Sequence, residues 1–266
     1  MGTITKALEL LDYFSAVRSE IGLGDFVRLT GRDKATVHRH LAELEHNGFL
    51  EQDAASRAYR LGPALLRLAA VREAAFPVRR LLRPIVTDLA EAVGELAHAT
   101  LLQGDMLSPV FHADPQRHGT QVSFDEAEKL PLHATASGLA VLAFAGDDLV
   151  DRVLGQTLAA LTSMTITDPG ILRQLMAEVR RTGSSQIDSA FDKEVASQGA
   201  PLFGQGGQVI GAMSVAVPRA RATPQTLAGI TPKLQAAARA ATRSLGGRYP
   251  NFPLSDSPAA ALSQAE

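Results

Sequence analysis

The chain has 266 residues, a formal net charge of −2, and neither cysteine nor tryptophan. That length suits one large domain or two smaller ones. The missing cysteines exclude a disulfide framework, a thiol nucleophile and cysteine-ligated zinc, and fit a reducing cytoplasm.

No apolar run approaches the roughly 20 residues of a bilayer span. The first residues lack a basic segment ahead of an apolar core, so neither a membrane anchor nor a secretory signal is expected. In chain order, Ile4, Ala7, Leu8, Leu11 and Phe14 recur at helical spacing. A short apolar segment, Asp25 to Leu29, ends in the turn Thr30-Gly31-Arg32. Residues 33–50, DKATVHRHLAELEHNGFL, then set Val37, Leu41 and Leu44 on one helical stripe. Arg39 lies nearly opposite, with Ala35 beside it and Thr36 on the flank. Asp33 is placed to cap this helix and Gly48 to stop it.

A plain surface helix would show the same stripe, so the surroundings decide. Short helix, glycine turn and amphipathic helix stand in helix-turn-helix order. Phe49 to Gln52 and Tyr59 to Leu61 read as paired strands, joined by a polar link that carries Arg57 at its tip. A hairpin just after a reading helix is a wing, and a basic tip can reach phosphates or the minor groove. The residues expected to meet DNA are Arg32, Lys34, Ala35, Thr36, His38, Arg39 and Arg57. Small residues let the helix sit deep in the major groove, and arginine can pair with a guanine edge or hold a phosphate. The basic residues, with three histidines in the reading helix, are placed rather than numerous. Modest affinity per monomer is therefore expected, with a second copy supplying the rest.

Residues 63–76 form a further helix, either a linker or a fourth helix of the first domain, with Pro63 suited to its first position. Pro77 marks a break. Leu81, Ile85, Leu89 and Val93 then recur every four residues on a helix that Pro84 would kink. HATLLQG, MLSPVFHADP and QVSF read as short strands. Ala136 to Phe144 reads as a helix that starts with small residues. Such a start can offer free N–H groups to a carboxylate, or simply pack closely. His133 reads as structural. Two helices fill 146–183, with Asp168 as cap and Gly183 as stop.

A hairpin turning at Gly204 to Gly207 leads into VIGAMSVAV, where Val209, Met213, Val215 and Val217 share one face. Ile210, Ala212, Ser214 and Ala216 make a mostly small opposite face. That face leaves room for a pocket with Ser214 as a donor, or for a closely packed helix. A closing helix runs from about Pro224 to Leu245, with Leu227, Ile230, Leu234, Ala238 and Ala241 on its stripe and Pro232 as a kink. Residues 249–266, rich in proline, serine and alanine, read as a disordered tail. Helices outside and short strands inside predict an α+β sensor domain.

Three motifs, in order, carry a resemblance. KATVHRHL with LEHNGFLEQD and YRLG, then LPLHATASGLAVLAF, then APLFGQGGQVIGAMSVAVP resemble the signature segments of the IclR family of bacterial transcription regulators. Ala35 departs from the usual serine and Leu139 from the usual lysine. The resemblance implies a winged helix-turn-helix over 1–62, a linker helix over 63–76 and a GAF-like effector-binding domain over 77–248. It implies a homodimer or dimer of dimers on double-stranded operator DNA, and a small effector, often an organic acid or aromatic compound. Matched motif to motif, the family's effector positions fall on Ala136, Ser137, Asp192 and Ser214. Ser197 stands near the family's frequent cysteine, in a stretch shorter than usual.

Two other readings compete. An enzyme with an accessory DNA-binding domain lacks a visible nucleophile–base pair, metal cluster or phosphate loop, so no catalytic residue or cofactor is expected. A metal sensor using His112, His118 and His133 matches no ligand-spacing template, so no metal is expected.

Overall fold

The computed structural model describes residues 2–15 and 17–252. The chain divides into two compact units between Pro77 and Val78.

In the first unit, α1 (Thr3–Leu8) runs into a 3-10 helix, Glu9–Tyr13. Here the expected stripe is corrected. Ile4 is 77% exposed and Leu8 is exposed, while Leu10 and Phe14 are buried. Passing from about 3.6 to about 3 residues per turn rotates the later side chains, which puts Leu10 rather than Leu11 fully inside; α1 itself buries no residue. α2 (Leu23–Thr30) buries Phe26 and stops at Gly31, whose φ of +64° needs no Cβ penalty. α3 (Lys34–His46) buries Val37, Leu41 and Leu44, the expected stripe, and also His40.

β1 (Leu50–Gln52) and β2 (Tyr59–Leu61) pair antiparallel. Ile21 joins Tyr59 by two backbone hydrogen bonds of 2.9 Å, one in each direction. Phe26 sits at the centre of this small core, edge-on to Tyr13, Phe14 and Tyr59. A Cβ at Gly62 would run into the Gly48 carbonyl, so the root of the wing has room only for glycine. In α4 (Ala64–Ala75), Pro63 stands at the cap, one place before the expected start, and Ala64 is the buried residue. Leu66 is 77% exposed and Val71 is exposed.

The second unit runs α5 (Val78–Val93), β3 (Leu96–Gln103), β4 (Met106–Ala113), β5 (Leu130–Pro131), α6 (Ala136–Phe144), α7 (Asp147–Leu154) and α8 (Pro169–Thr182). β6 (Ser185–Asp188), β7 (Val195–Phe203), β8 (Val209–Pro218) and α9 (Pro224–Ser244) complete it. Its six strands form one antiparallel sheet in the order β5-β4-β3-β8-β7-β6. α5 and α9 cover one face. There Arg79 and Arg83 of α5 lie over the Phe111 ring at 5.7 and 5.5 Å. Gln198 of β7 donates to the Leu227 carbonyl of α9 at 3.0 Å. α6 lies on the opposite face: Ser185 Oγ donates to the Ala136 carbonyl at 2.6 Å, and a Cβ at Gly199 would meet that carbonyl.

Three expectations in this unit are corrected. In α5 the fully buried positions are Leu82, Val86, Leu89 and Ala90, while Leu81, Ile85 and Val93 are only partly buried. A strict four-residue repeat drifts by about 40° per step on a helix of 3.6 residues per turn, so it crosses the buried stripe rather than following it. QVSF is not a strand; it lies in the irregular stretch 114–129. The tail does not begin at 249. Tyr249 and Phe252 are 5.4 Å apart edge to face, Tyr249 packs on Phe203, and Phe252 packs on Phe144. Averaged composition hid these two aromatics. Residues 253–266 lie outside the described residues.

Candidate functional site

The first candidate surface is the outward face of α3. Asp33 caps the helix, its carboxylate accepting from the Thr36 N–H at 2.8 Å. That bond holds its carboxyl below the usual range. Lys34, Ala35, His38 and Arg39 are exposed and Thr36 is half-buried, so these five share the accessible start of the helix. His40 is the exception among the three histidines. It is buried, its Nδ1 lacks a partner, and burial first, then Arg39, lowers its pKa. It belongs to the packing face and adds no cation to the surface.

Arg32 is half-buried and already engaged within the unit. Its guanidinium donates to the Lys6 carbonyl at 2.9 Å and pairs with Glu9. It therefore ties the first helix to the turn. At the wing, the Asp53 carboxylate accepts from the Ala55 N–H, the Ser56 N–H and the Ser56 hydroxyl, which curls the loop. Arg57 stands exposed beyond it with φ +60°, a left-handed conformation unusual for arginine.

The second candidate is a cavity of about 70 Å³ between the start of α6 and the sheet. It gathers Ala136, Ser137, Asp192, Ser197 and Ser214, residues far apart in the chain. His98 and Ser214 face each other across β3 and β8 and form its floor. They are 5% and 1% exposed, and the two His98 ring nitrogens and the Ser214 hydroxyl have no partner. An unsatisfied buried polar group costs about 1–3 kcal/mol, so such atoms gathered in one hollow point to something that fills it.

Burial, with a smaller push from His112, lowers the His98 pKa to about 3, so its ring is neutral at pH 7. The ring stacks on Phe124 at 4.6 Å. At the start of α6, Thr135 Oγ1 accepts from the Gly138 N–H at 3.0 Å and donates to the Pro131 carbonyl at 2.9 Å. The remaining first-turn N–H groups have no intrahelical acceptor and form the positive end of the helix. The small-residue start packs closely, since a Cβ at Gly138 would overlap Leu132, and the same turn lines the cavity.

Asp125, Glu128 and Asp192 stand at the rim. Partial burial first, then Asp125 and Asp192, raises the Glu128 pKa. Sequence reasoning missed His98, Phe124, Asp125 and Glu128. The alternation of HATLLQG could have placed His98 on the inner face, but the irregular stretch 114–129 carries no period that would bring Phe124 or the acids in. The three histidines weighed as metal ligands are not brought together. His112 Nδ1 lies 2.9 Å from Glu126, His118 is 3.8 Å from Glu95, and His133 meets the Ala159 carbonyl at 3.0 Å.

Comparison with known proteins agrees with this geometry. Residues 3–54 match the IclR helix-turn-helix domain, and residues 73–243 match the bacterial transcriptional regulator IclR C-terminal domain. The chain is 31% identical to the HTH-type transcriptional regulator KipR of Bacillus subtilis, over 92% of this chain and 97% of that protein. It is similar to an IclR-type regulator structure from Silicibacter sp. TM1040, with TM-score 0.86 and 47% identity, over 95% of this chain and all of that one. It is also similar to an IclR homologue from Microbacterium hydrocarbonoxydans solved with 4-hydroxybenzoate, with TM-score 0.74 and 25% identity, over 92% and 99% of the two chains. The chain belongs to the IclR family of bacterial transcriptional regulators.

Proposed function

We propose that α3 and the wing contact operator DNA through Lys34, Ala35, Thr36, His38, Arg39 and Arg57, and that the cavity beneath α6 holds the effector. The observation that carries the reading is the two-sided α3: a fully buried stripe beneath, and an exposed, small-then-cationic face above. Arg32 supports the contact surface from behind. Ala136, Ser137, Asp192, Ser197 and Ser214 are the effector contacts. The 4-hydroxybenzoate in the Microbacterium homologue supports a small-molecule role for this domain. The hollow offers hydroxyls, a neutral imidazole, backbone donors and carboxylates, and no paired nucleophile and base, so the chain binds its ligand without converting it. No helix among the described residues is long and apolar enough to cross a membrane, which supports a cytoplasmic site of action.

α1 and α4 leave Ile4, Leu8, Leu66 and Val71 in water. These apolar residues support self-association, with 63–76 serving as the linker helix and two reading heads spaced on a palindromic operator. Effector binding would shift operator affinity by about 5–150-fold, a coupling of about 1–3 kcal/mol.

The test is binding of the purified protein to DNA upstream of its own gene, beside a non-specific fragment, across a salt series. Preference for the upstream fragment, with affinity falling as salt rises, is the expected result. Equal weak binding to both fragments, with and without candidate effectors, overturns the reading.

A further inference from the structure

The cavity beneath α6 has an unbalanced charge. Its rim carries three carboxylates, Asp125, Glu128 and Asp192, and among the described residues no lysine or arginine lines it. Lys129 shares the neighbouring hollow with Glu128. His98 cannot offset them, because burial keeps it neutral. The acids stand close enough for repulsion to add to burial in raising the Glu128 pKa. The floor is different in kind: a neutral imidazole and a hydroxyl, both more than nine-tenths buried and both without partners. Between rim and floor the wall is apolar, with Phe124, Ile187 and Val195.

A simple anion entering this hollow meets like charge at the rim. Among the described lining residues its positive counterpart is the start of α6, worth about half an elementary charge. A cation meets compensation instead. We propose that the ligand carries a protonated amine held at the rim by Asp125, Glu128 and Asp192, and a neutral oxygen that bonds His98 and Ser214 on the floor. The inference rests on reading this cavity as the effector site. An acid group on the same molecule has the first turn of α6 to bind, so an amino acid qualifies, and a carboxylic acid lacking the amine leaves the rim uncompensated. Asp192 and Glu128 are exposed and Asp125 is half-buried, so the preference is modest and weakens with salt.

The experiment is calorimetric titration and thermal shift of the full-length protein at neutral pH. The first probes are 4-hydroxybenzylamine and 4-hydroxybenzoate, which share a phenol and differ in charge. The standard amino acids follow, each beside its deaminated acid. The expected result is that amines bind at least about tenfold more tightly than their matched acids. Added salt should narrow the gap, and the Glu128→Gln, Asp192→Asn double variant should erase it. That variant, relieved of repulsion, should melt no lower than the parent. Equal or tighter binding of the acids, a preference that survives the double variant, or no stabilisation by any amine overturns the proposal. The two readings fail separately. An amine that binds but leaves the operator complex unmoved sinks the effector reading alone, and an acid that binds better and releases the operator sinks the amine alone.

Discussion

α3 and α6 are both short helices capped by a side-chain oxygen, yet they serve the protein in opposite ways. α3 is buried on one face, and its candidate contact surface is the side chains of the other. α6 is buried from Ala136 to Ala143, and what it offers is its own first turn, set over strands from elsewhere in the chain. A two-sided helix announces its site by periodicity. A helix buried all round has no such contrast, and its site exists only once the sheet has brought its partners.

The comparison can be broken from either side. Leu41 is fully buried at the centre of the α3 stripe, so Leu41→Ala should cost about 2–5 kcal/mol through the cavity it leaves. Hydrogen exchange resolved by region should show the loss in residues up to 77. Protection lost equally in both units would mean that they do not fold separately. Gly138→Val drives a branched side chain into the Leu132 backbone and should cost about 1–3 kcal/mol by overpacking. Chemical denaturation of the variant checks this, and an unchanged midpoint would show that the α6 start can move.

Arg39→Ala should leave folding intact and weaken operator binding by about 1–3 kcal/mol if the guanidinium reads a base. An unchanged affinity in a gel-shift titration would remove Arg39 from the reading face. The last effect appears only in acid. His98 is held neutral with a pKa near 3, against 6.5 when free. Between those values the unfolded chain takes up a proton that the folded one refuses. Stability should therefore fall as pH drops from about 6.5 towards 3. His98→Phe should flatten that limb in melting curves taken across pH, and an identical slope would assign the acid sensitivity to other groups.

The reading head was legible because each of its parts is local. The Val37, Leu41 and Leu44 stripe, the Asp33 cap, the Gly31 turn and the wing strands each lie within a few residues of the signal that marks them. His40 was not legible, since a polar residue on the inner face looks like one on the outer face until its burial is known. The α1 stripe failed on both sides of the change to three residues per turn after Leu8: Ile4 and Leu8 before it are exposed, and beyond it Leu10 rather than Leu11 is fully buried. In the second unit, hairpin, caps and closing helix followed from turn residues and alternation. The cavity did not follow from them: His98 enters through strand pairing over a long sequence separation, and Phe124, Asp125 and Glu128 enter on a stretch with no period at all. Ala136, Ser137, Asp192, Ser197 and Ser214 were named through the family resemblance rather than through spacing.

The aromatic cluster at the end of the second unit bears on where the protein can be cut. The matched family segment stops at residue 243, but Tyr249 and Phe252 are wedged against Phe203 and Phe144. Phe252 also crosses Gly183, where a Cβ would strike its ring. A clone trimmed to the matched segment would open this seam, leaving two core rings facing water on a fragment that no longer has the residues to cover them. A stable effector-binding fragment must extend at least through Phe252.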